Sequence, residues 1–382
     1  MADLLRVLLN VSEKAANVAR VCRQEGPLFE LLVQEKKGDD KNKKFVQDFK
    51  TLADVVIQEM IRHDVGAVFP ELTEFIQGEE SNKFENGLGE SVTVTVCGRE
   101  EETAALLATV LDGDQTAAAL LARAIHQDLQ LRDQAAEGLK QLPVNPADVG
   151  IWIDPIDGTS QYIEGKEEVV PDGGFCSSGL PCALVLIGAF LRSTGEPVMG
   201  VINQPFHHRD ETGNGWKGQH FWGVSCGGFS ACSVPWPKRP SPGRAVVSAV
   251  LSSSEKAVVK EALAPLCPGK CLMYASGAGY KILCVILGLA DVYVLSEGST
   301  YKWDSCAPHA LLRALGGGIV DLSAPPARDK EKVEVWRGAE LTYHKPNAGR
   351  RGADQWANQG GLVAYLDPEV LSVVMEGLAG KI

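Results

Sequence analysis

The chain has 382 residues, 45% of them hydrophobic and 23% charged, with a formal net charge of −12. This is an ordinary globular composition, and at this length a core tends to divide in two. The negative field opposes nonspecific binding to nucleic acid or anionic membrane, and no apolar run is long enough to span a bilayer.

In chain order, "MADLLRVLLNVSEKAANVARVCRQ" places Leu5, Leu8, Leu9, Ala15, Ala19 and Cys22 at helical spacing. It has no basic start and no sustained apolar block, so it reads as a helix of the mature protein rather than a signal peptide. Glu35 to Phe45 is a mixed-charge run expected to form an exposed loop. "KTLADVVIQEMIRHDV" has helical periodicity, with Asp54 among apolar neighbours. "FPELTEFIQGEES" predicts a short strand ending at Gly78-Glu79-Glu80, and "SVTVTVCG" alternates as a strand. The Ala- and Leu-rich residues 101–140 predict two helices broken at "LDGDQ".

"VGIWIDPIDG" predicts a strand running into a turn, with Pro155 ending its ladder. "CALVLIGAFL" and "PVMGVINQPF" are strands around the turn "RSTGE", and "GWKGQHFWGVSCGG" is read as a hairpin. A proline-rich loop runs from Ser233 to Gly243. Beyond it strand and helix patterns alternate to the "IVDL" segment, predicting a layered α/β unit. The ten cysteines form no tight framework and no zinc spacing, so reduced thiols in the cytoplasm are expected.

The chemistry concentrates in "WIDPIDGTS". Asp154 and Asp157 repel unless a cation or proton lies between them. With the Ile156 carbonyl they form an oxygen-only donor set, which suits Mg²⁺. Gly158, Thr159 and Ser160 follow at a predicted helix start, where free N–H groups favour an anion; an Asp-Pro turn followed by a cap is the structural alternative. The aspartates are two residues apart in between, unlike the D-x-D-x-T of haloacid-dehalogenase phosphatases, which disfavours an aspartyl-phosphate route. Glu79 and Glu80, after a strand and a glycine, could give one metal ligand and one outer-shell partner, although acidic loop pairs are usually just solvated. Asp304 reads as a helix cap or a third metal carboxylate. Lys281 follows the glycine-bearing helix start "SGAGYKIL". Asp54, on an apolar helix face, needs a partner.

Taken together, Asp54, Glu79, "WIDPIDGT", "GAGYK" and "WDSCAPHALLRALGG" resemble, in order, the lithium-sensitive, magnesium-dependent phosphomonoesterase superfamily. That group includes inositol monophosphatase, bisphosphate nucleotidase and fructose-1,6-bisphosphatase. The similarity spans nearly the whole chain. "KNKKFVQDFKTLADVVIQEMI", "GVINQPF", "SSSEK" and "DQWANQGGLVAY" resemble most the branch that removes the 1-phosphate of inositol polyphosphates. That branch carries Ser-Thr-Tyr after the second aspartate, where this chain has Gly158-Thr159-Ser160.

The resemblance implies a layered αβαβα sandwich, with an α+β domain over 1–206 and an α/β domain over 207–382. It implies two or three Mg²⁺ ions: one on Glu79, Asp154 and the Ile156 carbonyl, another on Asp154, Asp157 and Asp304, with Glu80 accessory. Thr159, oriented by Asp54, would help deprotonate water, and Gly158 and Thr159 would hold the scissile phosphate. Ser254, Lys256, Gly277, Ala278 and Lys281 would meet the rest of the substrate. The run Lys41, Lys43 and Lys44 reads equally as a means of steering anions or as a solvated loop. Li⁺ inhibition is implied. The implied substrates are inositol 1,4-bisphosphate and inositol 1,3,4-trisphosphate, with no nucleic-acid or membrane partner. The rival readings are a 3'(2'),5'-bisphosphate nucleotidase with the same site, or a noncatalytic metal-dependent binding protein.

Overall fold

The computed structural model describes residues 2–24, 33–42, 48–86, 89–139, 142–167, 171–210, 215–235, 246–324 and 337–381. Lys43, Lys44 and residues 236–243 of the proline-rich stretch lie outside the described residues.

Two sheets carry the architecture. The first runs in the order Phe229–Cys232, Trp216–Cys226, Pro197–Arg209, Leu184–Leu191, Val149–Asp157 and Ile76–Gly78, antiparallel except for its last pair. The second runs Leu272–Tyr274, Ala249–Leu251, Val292–Leu295, Leu362–Tyr365 and Gly318–Asp321, with parallel pairing among the first three strands. Helices Ala2–Gln24 and Leu52–Val68 cover the outer face of the first sheet. Helices Ala278–Ile286 and Lys302–Ala314 fill the space between the sheets, and Ala257–Leu263 and Pro368–Leu378 cover the far face of the second. This is the expected αβαβα sandwich. Because both faces of the first sheet are covered, its central strands are apolar without alternation, and all nine residues of Val149–Asp157 are buried.

The middle layer approaches the first sheet over a row of glycines. Gly188, Gly200 and Gly223 are register partners on three adjacent strands. A Cβ on Gly188 would lie 2.5 Å from Ala307 N, and one on Gly223 2.7 Å from the Cα of Leu311. One on Gly200 would strike the Ala307 carbonyl. The helix Lys302–Ala314 therefore lies directly on sheet backbone, which fixes where its first turn, with Asp304, ends up.

Three local expectations change. The expected hairpin at "GWKGQHFWGVSCGG" is one long strand, Trp216–Cys226, whose turn lies at its end, at Gly227-Gly228. Pro155 does not end its ladder: the strand continues to Asp157 across a bulge. The loop expected from Glu35 carries a short strand, Val33–Glu35, and a 3-10 turn, Gly38–Asp40. Residue 206 falls inside the strand Pro197–Arg209, and the first sheet continues to Cys232 before the second begins at Ala249.

Candidate metal centre and active site

Trp152 belongs to the core between the two sheets, and by the two-residue period of a strand Asp154 faces the same way. Asp157, three residues on, would face away in a regular strand. The bulge corrects this. Asp154 pairs with Leu186 and Asp157 with Leu184, so three steps on this strand answer two on its neighbour. Pro155 suits such a bulge because no ladder donor is required of it. The Gly279 N–H then donates to Asp157 Oδ2 at 2.9 Å from the start of the middle-layer helix Ala278–Ile286.

Asp304 comes from the other middle-layer helix, in its first turn, where the Tyr301 N–H donates to its Oδ2 at 2.6 Å. One oxygen each from Asp154, Asp157 and Asp304 lies within 4.8 Å of the others. Glu79 arrives beside them, because Gly78 pairs in parallel with Ile153 and the Glu79 N–H donates to the Ile153 carbonyl at 3.1 Å.

These groups open into a cavity of about 440 Å³. Of the residues expected from sequence, it is lined by Glu79, Asp154, Ile156, Asp157, Gly158, Thr159, Ser254, Gly277, Ala278, Lys281 and Asp304. Ser252, Ser253, Ser276 and Thr300 add further hydroxyls to the wall.

Burial and mutual repulsion set the electrostatics. Burial, then Glu79, Asp157 and Asp304, push the Asp154 carboxyl well above the usual range. Asp304 is likewise raised well above it by burial and by Asp157 and Glu79, against the opposing Tyr301 N–H. Asp157 is raised by burial to about 6, with Lys281 and the N–H groups of Gly279 and Ala278 holding it down. Burial lowers Lys281 to about 8 against the pull of Asp157.

Asp154 Oδ1 is buried with no hydrogen-bond partner. A buried anionic oxygen without a donor is costly, and a cation is the group that would satisfy it. The donors are all oxygens and all acidic, so they fit a hard divalent ion.

Several expected roles are placed differently. Asp54 does not reach Thr159. Its Oδ2 accepts from the Thr51 N–H and hydroxyl, both at 2.6 Å, in a capping box that starts the helix Leu52–Val68. Thr159 instead donates its hydroxyl to the Ile156 carbonyl at 3.0 Å. The short Thr51 side chain is three residues away on the same chain, so its local bond forms at little entropic cost.

Glu80 does not line the metal cavity. It faces a separate cavity beside Lys36 and Lys50, and Gln58 bonds its backbone on both sides. Lys256 is also outside the cavity lining, paired with Glu297 at 3.1 Å near the surface. Lys281 is buried at the cavity wall, with Nζ donating to the Gly277 carbonyl at 2.6 Å and to Ala275 at 3.3 Å. Lys41 pairs with Glu35 at 3.0 Å.

Sequence reasoning missed Lys36. Its ammonium is buried between Glu79 at 2.5 Å and Glu80 at 2.7 Å. Burial alone would lower its pKa, but the two glutamates raise it well above the ordinary value. A pair of glutamates with one buried member implies a nearby cation; nothing in the charge run "QEKKGDDKNKK" says which lysine it is.

The model of the inositol monophosphatase family matches residues 56–368. The chain belongs to that family. The inositol polyphosphate 1-phosphatase of Bos taurus is 48% identical over 396 residues, covering 99% of this chain and 97% of the bovine one. The 3'(2'),5'-bisphosphate nucleotidase 1 of Dictyostelium discoideum is 32% identical over 219 residues, 55% of this chain and 64% of its own. Among solved structures, the extragenic suppressor protein suhB of Bartonella henselae superposes with a TM-score of 0.54 at 14% identity, covering both chains fully. At that identity it speaks to the fold alone.

Proposed function

We propose that this chain is a Mg²⁺-dependent, Li⁺-inhibited phosphatase that removes the 1-phosphate of inositol 1,4-bisphosphate and inositol 1,3,4-trisphosphate. The observation that carries the reading is the convergence of Asp154, Asp157 and Asp304 within 4.8 Å around an oxygen with no donor. It occurs in a chain that aligns end to end with a polyphosphate 1-phosphatase. The nucleotidase alignment stops at just over half of the chain, which favours the inositol substrate.

In this reading Glu79, Asp154 and the Ile156 carbonyl hold one cation, and Asp154, Asp157 and Asp304 hold another. When bound there, Mg²⁺ supplies Lewis-acid stabilisation of phosphoryl oxygens and acidifies water. The chain's own groups do the rest. Thr159, anchored on the Ile156 carbonyl, takes part in moving the proton of the attacking water. Asp54 supports it indirectly by fixing Thr51 at the head of its helix. Gly158 and Thr159 offer N–H groups to the scissile phosphate. The hydroxyls of Ser252 to Ser254 and Ser276 suit a polyol ring, and Lys281 places a positive charge beside it. The ten unpaired cysteines support a reducing, cytoplasmic setting. No described helix is long and apolar enough to cross a membrane.

The deciding assay is phosphate release with Mg²⁺ from inositol 1,4-bisphosphate and from adenosine 3',5'-bisphosphate, each with and without Li⁺. Lithium-sensitive release from the inositol substrate is the expected result. Preference for the nucleotide would move the chain to the nucleotidase reading, and release from neither would leave a noncatalytic binding protein.

A further inference from the structure

The tail motif "DQWANQGG" has no role in the chemistry above, yet one of its residues reaches the helix that carries Asp304. Asn358 is buried. The two N–H groups of its Nδ2 are shared among Tyr301 O at 3.0 Å, Thr300 Oγ1 at 3.2 Å and Ser305 Oγ at 3.2 Å. Its backbone N–H donates to Thr300 O at 2.8 Å. The preceding residue, Ala357, forms an isolated antiparallel bridge with Tyr301.

These bonds fall on the extended segment that caps the helix and orients Asp304. The Asp304 carboxylate is held by the Tyr301 N–H, so its direction depends on where residues 300 and 301 lie. The helix Lys302–Ala314 also contains Pro308, which cannot donate to the carbonyl four residues back, that of Asp304. Its first turn thus lacks one internal bond. Ser305 returns its hydroxyl to Tyr301 O at 3.1 Å, and Asn358 ties Ser305, Tyr301 and Thr300 together. Upstream, the tail is seated against the N-terminal part of the chain: a Cβ on Gly352 would lie 2.6 Å from that of Asp39, and Ala353 lines the cavity.

We infer that Asn358 is a positioning residue, acting through the extended Thr300–Tyr301 segment that caps the helix to aim the Asp304 carboxylate into the carboxylate cluster. A polar group behind a metal ligand orients it, and removing such a group typically weakens metal affinity 10- to 100-fold. The inference rests on the proposed function only in that the cluster takes a divalent cation.

The test is a calorimetric Mg²⁺ titration of the full chain as wild type, N358A, D304N and the double variant, with melting temperatures recorded alongside. N358A is expected to weaken Mg²⁺ binding about tenfold or more, yet to add nothing once D304N is present, because the two act on one contact. The Mg²⁺ concentration for half-maximal phosphate release should rise equally, with KM for inositol 1,4-bisphosphate unchanged at saturating Mg²⁺. An N358A protein that melts earlier but binds Mg²⁺ within about twofold of wild type would overturn the inference, as would multiplicative effects in the double variant. If N358A does not fold, S305A, which removes one acceptor of the same network, is judged by the same criteria. Wild type that binds Mg²⁺ but releases no phosphate would sink the proposed function and leave this inference standing.

Discussion

Gly200 and Ala307 meet backbone to backbone, leaving no space for a side chain at position 200. The contact seats the middle-layer helix on the first sheet, and with it the third carboxylate of the cluster. Gly200→Ala must push that helix outward. Overpacking of this kind costs about 1–3 kcal/mol, to be read from urea unfolding. Mg²⁺ affinity should fall with it, since Asp304 moves with the helix. A variant with lost stability but unaltered Mg²⁺ affinity would show that the helix absorbs the strain beyond Asp304.

Asp154 sits nearest to an electrostatic conflict, buried among Glu79, Asp157 and Asp304 with one oxygen unpartnered. Asp154→Asn removes a carboxylate whose charge a proton or a cation must offset. Without metal, the variant should melt higher than wild type. With metal, it should lose the Mg²⁺-induced rise, and kcat should drop by a factor on the order of 10² or more, the scale of several kcal/mol of transition-state stabilisation. A metal-free variant less stable than wild type would count against the repulsion.

The same conflict predicts a pH dependence. Burial raises Asp157 to about 6 from 3.8, and Asp154 and Asp304 move in the same direction. A carboxyl whose pKa is higher folded than unfolded favours the fold below its unfolded value, and that contribution is lost as pH rises through the folded one. The metal-free protein should therefore lose stability from this cluster as pH climbs from about 4 past 6. Mg²⁺ has to displace those protons at low pH and meets free carboxylates at high pH. Scanning calorimetry should show a larger Mg²⁺-induced rise in Tm at pH 8 than at pH 6; equal rises would mean the cation binds elsewhere.

Thr51 and Thr159 should separate stability from catalysis. Thr51→Val breaks the cap that holds Asp54 and should cost about 1 kcal/mol of unfolding free energy. Thr159→Val removes a hydroxyl at the cavity wall that bonds the Ile156 carbonyl. It should lower kcat with little change in Tm. Denaturation and steady-state kinetics on the two variants check the pair, and a silent Thr159→Val would remove that hydroxyl from the reaction.

Much of the site was legible because its signals are local. The spacing of Asp154 and Asp157 around Pro155, the Gly-Thr that follows, and Asp304 at a helix start are each readable within a few residues. Each residue there has a type that the chemistry requires. The alternation of strand and helix after residue 246, and the apolar strands around "RSTGE", likewise declare themselves by periodicity. Where the structure places a side chain differently from the sequence expectation, two local options competed. Asp54 had a hydroxyl three residues before it and another across the fold, and the nearer one holds it. Glu80 and Glu79 are neighbours in sequence but face different cavities.

The sequence by itself determined the ligand types, the strand and helix patterns and the layered order, because these depend on residue chemistry and short-range geometry. Only the tertiary structure decided how closely those carboxylates converge, that Lys36 bridges Glu79 and Glu80, and that Asn358 sits behind Asp304. Those contacts join Lys36 to Glu79, 43 positions on, Asp154 to Asp304, 150 positions on, and Asn358 to Tyr301, 57 positions back. The closest approach of the helix to the glycine row, and the one-residue bulge beneath Asp157, set them, and packing of that kind leaves no period or spacing in the chain to read.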